Sequence, residues 1–354
     1  MNYEELIANI KSRSNPDGLI LEKAFATEML DIKYGDVEKY VKLAMRGVEP
    51  AYTAQSRDAG ERVKTHLKTV LNQVTYKYQG SVETNTHIKA TSDIDLLVIS
   101  DKSYMPDHNG INQMLRSQRG QLTQNSVQIL ERSVSPPHYQ GDSLNDLKEN
   151  RLNSERKLNN EYTDCDCSKP KAIQITNRSL NRDVDIVIAG WFDNANSILK
   201  NKEVEYRGIQ IYNKTDHQRE DADFPFLKIK LLNERSTLTN GRLKKMIRFL
   251  KNIKATINKD QNPEPVKLSS FQFNAICYNI ETNKYKDKNV FELVAIVYWQ
   301  LKSLVENSDH RDDLKSVDNS EYIFRHQPDR IKELQLLIQT IQPILIDLQN
   351  QKAV

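Results

Sequence analysis

Two aspartates two residues apart, Asp93 and Asp95, stand at the head of the apolar run ending at Ser100, and a second pair with the same spacing, Asp183 and Asp185, precedes Ile186-Val187-Ile188-Ala189. On a β-strand a spacing of two sends both side chains to one face. Carboxylates are hard oxygen donors, so each pair suits a cation such as Mg²⁺ or Mn²⁺. If the two strands are neighbours, Asp93, Asp95 and one of Asp183 and Asp185 form a three-carboxylate set. Such a set can hold two divalent ions about 4 Å apart, the arrangement that stabilises both oxygens of an in-line phosphoryl displacement. Upstream, Gly80-Ser81 ends another strand-like stretch. A glycine followed by a hydroxyl lets the backbone turn sharply and offers N–H and O–H groups to phosphate oxygens.

These residues need strands to carry them. VTYKYQ at 74–79 alternates apolar and polar positions, 94–100 is a buried-strand run, and AIQITN at 172–177 and DVDIVIAG at 183–190 read as two more strands. Before them, Val63, Leu67, Val70, Leu71 and Val74 fall on one helix face, and Pro16 and Gly18 divide an earlier pair of helical segments. Residues 101–165 are rich in Ser, Asn, Gln and charge and read as a helical insertion, with weak amphipathic stretches at 111–130 and 144–158. From about 224 the pattern is helical through 226–257, 269–280, 290–304 and 330–348. The expected class is α/β (α+β): residues 1–222 form a lobe with a mixed sheet and N-terminal helices packed across both lobes, residues 223–354 a helical lobe, with a ligand cleft between them.

Composition narrows the options. The chain has 354 residues, 38% hydrophobic and 28% charged, a folded but heavily solvated protein. Lys and Arg number 51 against 48 Asp and Glu, a net charge of +3, so the molecule is no polycation for long nucleic acid. Its apolar runs are too short to cross a bilayer and the start MNYEELIANIKS lacks the apolar stretch of a signal peptide, which predicts a cytoplasmic protein with no membrane partner. Three cysteines, two in TDCDCSK, do not make a disulfide framework, and the Cys-x-Cys reads as a surface loop. The scattered histidines support no hydrolase triad.

Gly80-Ser81 followed by Asp93-Ile94-Asp95 resembles the signature of the DNA polymerase beta-type nucleotidyltransferases, in which a third Asp arrives later. Within them the chain is most similar to the branch of oligoadenylate synthetases, cyclic GMP-AMP synthase and the bacterial CD-NTases (the cGAS/DncV-like enzymes). LKKMIRFLKNI at 243–253 resembles that branch's basic helix, and LSSFQF at 268–273 its following Ser-aromatic segment. The resemblance implies a polymerase beta-like core and a helical oligoadenylate synthetase-like lobe. It implies Asp93, Asp95 and Asp185 as catalytic metal ligands for two Mg²⁺ or Mn²⁺ ions, with Asp183 the lesser choice for the third. Gly80 and Ser81 would grip the triphosphate, Lys251 the donor triphosphate and Ser270 a phosphate, while Phe271 would lie against a base. The expected product is a cyclic di- or trinucleotide messenger of antiphage (CBASS) signalling, made from nucleoside triphosphates with loss of pyrophosphate by a monomer open to a regulatory protein partner. The chain departs from the pattern at Asn85-Thr86, where relatives carry Gly-Thr, and at Ile188, where many carry proline. It has no zinc insertion of the kind used to engage duplex DNA.

Each of these residues also has an ordinary reading. Asp-x-Asp pairs mostly end strands or cap turns, amphipathic helices mostly turn their lysines to water, Ser270 could cap a helix, and Phe271 could be core. Two rival functions follow: nucleotidyl transfer to an RNA, protein or small-molecule acceptor, and a catalytically silent nucleotide-binding scaffold. The first calls for a broad basic surface, which the near-neutral charge does not supply.

Overall fold

The computed structural model describes residues 1–15, 35–135, 139–259 and 264–352. The expected break at Pro16 and Gly18 lies outside them. Two compact units result, one of residues 1–53, 84–90 and 231–354, the other of 54–83 and 91–230. Neither is a continuous piece of chain, so contact groups residues differently from the two sequential pieces 1–222 and 223–354.

The second unit holds the sheet. Its strands are β1 (Val74–Gln79), β2 (Ile94–Pro106), β3 (Cys165–Asp166), β4 (Ile173–Asn177), β5 (Arg182–Asp193), β6 (Gly208–Asn213) and β7 (Gln218–Arg219), with β1-β2-β5-β4-β3 in spatial order. The sheet is mixed: β1 runs antiparallel to β2, β2 parallel to β5, and β4 and β6 antiparallel to β5. β4 covers the first half of the same β5 edge and β6 the second, so β5 is paired on both sides and its apolar run is buried throughout.

Alternation along the two central strands sorts their side chains onto two faces. Ile94, Leu96 and Val98 pack with Val184, Ile186 and Ile188 against Val63 and Leu67 of the helix Pro50–Leu67 and Leu147 and Leu158 of the helix Ser143–Glu161. Leu97 and Ile99 pack on the other face with Val187, Ala189, Trp191, Ile209 and Phe226. Asp95 and Asp185 belong to this second face, two residues before Leu97 and Val187.

The single helix face expected from Val63 to Val74 is broken. The helix ends at Leu67, Val70 is 38% exposed, and Val74 already begins β1. Two turns of three-residue hydrogen bonds and a left-handed Gln73 (φ 53°) redirect the chain there, which periodicity does not register. The polar stretch at 101–165 holds helices His108–Ser117, Gln124–Ser133 and Ser143–Glu161, and Cys165 lies in a two-residue strand rather than a loop.

The other unit is helical. Leu6 and Ile10 of Tyr3–Ser14, and Val37, Tyr40, Val41 and Ala44 of Asp36–Met45, share one core with Arg242–Lys259, Ser270–Tyr278, Val290–Glu306 and Arg330–Lys352. The helices Pro225–Leu238 and Arg242–Lys259 are two rather than one, separated where Asn240 and Gly241 take left-handed backbone (φ 47° and 78°).

Candidate active site

β2 and β5 bring their carboxylates into register. In the parallel ladder Asp95 lies directly opposite Asp185, so both side chains leave the sheet on one face. Asp93 precedes the ladder and is exposed, yet its charge is felt at Asp95. The Asp95 carboxyl is pushed up to about 7, first by burial and then by the negative charges of Asp185 and Asp93. Burial and Asp183 also raise Asp185, against a lowering by Lys169. Oδ1 of Asp185 is buried without a hydrogen bond.

The two candidates for the third carboxylate differ in how they are held. Asp183 accepts a 2.5 Å hydrogen bond from the Thr176 hydroxyl on the neighbouring β4. Asp185 has the buried, unbonded oxygen and stands across from Asp95.

Gly80 is fitted to the same spot. β1 is paired so that Gln79 faces Asp95, and the next residue, Gly80, has φ +85° and an α-carbon so close that an added Cβ would fall 2.2 Å from Oδ2 of Asp95. Any other L-residue would be strained by its backbone and would also collide with the carboxylate. Ser81 follows in the first turn of a four-residue helix, Gly80–Glu83.

The remaining predicted residues lie in the helical unit. Lys251 on Arg242–Lys259 is 9% exposed and donates to the Thr86 carbonyl at 2.9 Å. Burial, helped by Arg248 and Lys254, pulls its ammonium down to about 8. One turn away Arg248 donates to the carbonyls of Met45 (2.9 Å) and Asn85 (2.7 Å). Asn85 has φ 50°. This is the left-handed conformation, which asparagine tolerates better than most residues other than glycine. Ser269, not Ser270, caps Ser270–Tyr278, its hydroxyl accepting from the Phe271 N–H within a capping box with Gln272. Ser270 is exposed, and Phe271 packs part-buried against the helical core.

Sequence reasoning passed over Lys169, 3.9 Å from Asp185 Oδ1, and, although the spacing sets Arg248 with Lys244 and Lys251 on a partly buried edge of the basic helix, gave Arg248 no role of its own; it ties down Asn85. Lys169 comes from a loop sixteen residues before Asp185, where no periodicity points to it.

Residues 230–345 match the cGAS/DncV-like nucleotidyltransferase C-terminal helical domain. Along its whole length the chain is similar to a c-di-GMP synthase of Capnocytophaga granulosa, 52% identical over 99% of this chain and 98% of that protein. The chain belongs to the cGAS/DncV-like nucleotidyltransferases. A c-di-GMP synthase of a Lachnospiraceae bacterium is 40% identical over 95% of both chains. The solved structure of a STING-associated CdnE c-di-GMP synthase from Flavobacteriaceae sp. covers 99% of both chains at 39% identity with a TM-score of 0.89. The mixed sheet with helical lobes is the fold of these relatives, and the chain is a nucleotidyltransferase that condenses nucleotides into a cyclic oligonucleotide messenger.

The family works with divalent cations, and the residues can be tested for them. Among the described residues no three His, Cys, Asp or Glu side chains are closed into a metal-holding group. The facing pair fits nonetheless: two carboxylates that repel each other, one with an unbonded buried oxygen, are what a hard cation relieves. Among the described residues no helix is long and apolar enough to cross a membrane.

Proposed function

We propose that the chain joins two GTP molecules into cyclic di-GMP. The relatives that span 99% and 95% of it, at 52% and 40% identity, carry that activity in their names, and this observation supports the choice of guanine over other bases. A ribose hydroxyl of one guanosine gives up its proton to Asp185 and attacks the α-phosphate of the other GTP, releasing pyrophosphate. A second attack closes the ring and releases a second pyrophosphate.

Asp93, Asp95 and Asp185 would hold the two Mg²⁺ or Mn²⁺ ions. When bound, the ions neutralise charge on the phosphoryl group and leaving pyrophosphate. Gly80 keeps the backbone close to Asp95, and Ser81 is offered to the triphosphate. On the family pattern Lys251 takes the donor triphosphate, Ser270 a phosphate and Phe271 a base. The functional division into a catalytic portion, 1–222, and a helical portion, 223–354, goes with these roles. The chain would serve antiphage signalling as a cytoplasmic monomer; the STING association of the Flavobacteriaceae enzyme supports a messenger read by a separate protein.

The test is incubation with each nucleoside triphosphate and Mg²⁺ or Mn²⁺, without acceptor, followed by phosphatase and mass spectrometry. Phosphatase-resistant cyclic di-GMP from GTP alone is expected. A product that needs ATP, CTP or UTP overturns the base assignment, and one that forms only on added RNA overturns the cyclase reading.

A further inference from the structure

The loop between β3 and β4 is anchored from beneath by a buried cation. Arg151, on the helix Ser143–Glu161, is 1% exposed. Its Nη2 donates to the carbonyls of Cys167 (3.3 Å), Lys169 (2.9 Å) and Ala172 (2.9 Å), while its Nε pairs with Glu155 at 2.7 Å. Lys214 adds a bond to the Cys167 carbonyl and a 2.9 Å pair with Glu155. A fully buried guanidinium bound to three carbonyls of one short loop fixes that loop's path.

What the loop presents is Lys169. Its Nζ donates to Oε1 of Gln174 at 2.8 Å and stands 3.9 Å from the unbonded Oδ1 of Asp185. Gln174 is itself the β4 register partner of Asp185, so lysine, amide and carboxylate share one cross-strand position. A lysine anchored on a neutral amide beside a carboxylate that does not hydrogen-bond it is placed to act by its charge.

From this we infer that Lys169 is a positioning residue that lowers the affinity of the carboxylate pair for divalent cations, so that metal is retained when the triphosphate supplies its own negative charge and not before. The inference rests on the metal reading of Asp95 and Asp185 given above. One positive charge close to a cation site weakens binding at a separation well inside the screening length of physiological salt, by about tenfold.

The test is Mn²⁺ binding to the full chain, followed by electron paramagnetic resonance or calorimetry, with and without a non-hydrolysable GTP analogue. Lys169→Met is expected to bind Mn²⁺ about tenfold more tightly than wild type without nucleotide, with the two converging when the analogue is present. Lys169→Arg should restore wild-type affinity. Lys171→Met, which removes a neighbouring lysine paired with Glu220, should change nothing. Unchanged or weaker nucleotide-free binding in Lys169→Met, with the analogue still recruiting Mn²⁺ to wild type, overturns the role of Lys169 alone. Failure of wild type to bind Mn²⁺ even with the analogue, or binding that survives in Asp185→Asn, overturns this role and the metal assignment together.

Discussion

At the head of β2 and β5 the fold sets Asp95 beside Asp185 and leaves a buried carboxylate oxygen without a hydrogen bond, whereas along Arg242–Lys259 it buries Arg248 and Lys251 and gives each a backbone carbonyl. Burial is costly for either sign of charge. In the helix the cost is only partly offset within the unit: the guanidinium bridges Met45 and Asn85 and the ammonium reaches Thr86, yet burial still pulls Lys251 down to about 8. In the strands part of it is left standing. Groups already hydrogen-bonded mainly hold structure together, and groups left wanting a partner are where a ligand gains most; Lys251, proposed to take the donor triphosphate, would exchange its Thr86 carbonyl for it. The two regions should therefore answer substitution in opposite ways.

The largest effect is expected at the carboxylates. Asp95→Asn or Asp185→Asn should lower cyclic product formation by at least about a thousandfold, because an amide is a poor ligand for a hard cation. The same changes remove like-charge repulsion, so metal-free variants should melt at the wild-type temperature or above it. A variant that keeps more than a tenth of the activity, or that melts well below wild type, would erase the contrast.

Arg248→Met should do the reverse. It strips two carbonyls of a buried charged donor and should cost about 3 kcal/mol in urea denaturation. Turnover per folded molecule should fall less than tenfold. Intact stability with abolished turnover would make Arg248 part of the chemistry instead of the scaffold.

The same contrast explains what could be read from the sequence. Strand runs at 74–79, 94–100, 172–177 and 183–190 were legible because alternation and unbroken apolar runs are set by burial, and the observed strands begin within a residue of them. The pairing of Asp95 with Asp185 needed only that β2 and β5 be neighbours. The strand Gln218–Arg219 was missed, being two polar residues long, and Gly208–Asn213 was missed although Ile209 and Ile211 alternate along it. The end of the helix at Leu67 was hidden because turn residues such as Gln73 carry no apolar period. Lys169 was silent because it meets Asp185 across the strand pairing of β4 and β5, and Arg248, legible only as part of the basic helix's partly buried edge, because its carbonyl partners lie far along the chain; such contacts leave no mark on local spacing. Asn85 is an intermediate case: the resemblance leads one to expect glycine there, and its left-handed backbone is one that asparagine also accepts.

A smaller effect, and the one that separates the regions most sharply, is the pH dependence of stability in chelator-treated protein. Asp95 titrates near 3.9 unfolded and at about 7 folded. Between those values the folded chain keeps a proton that the unfolded chain has lost, so its contribution is complete below about pH 4 and disappears as pH rises through 7. Asp185, raised in the same direction, steepens the fall. Lys251 is lowered to about 8, against about 10.4 unfolded. There the unfolded chain holds the extra proton, so stability rises with pH across that window. Each limb should be on the order of 2 kcal/mol once partial solvent screening is allowed for. Subtracting the Asp95→Asn curve from wild type isolates the acid limb, and subtracting Lys251→Met isolates the basic one. Saturating Mg²⁺, which binds the ionised carboxylates, should abolish the first limb and spare the second. A flat difference curve from pH 4 to 7, or an acid limb indifferent to Mg²⁺, would mean that the strand pair carries no burial cost for a cation to relieve.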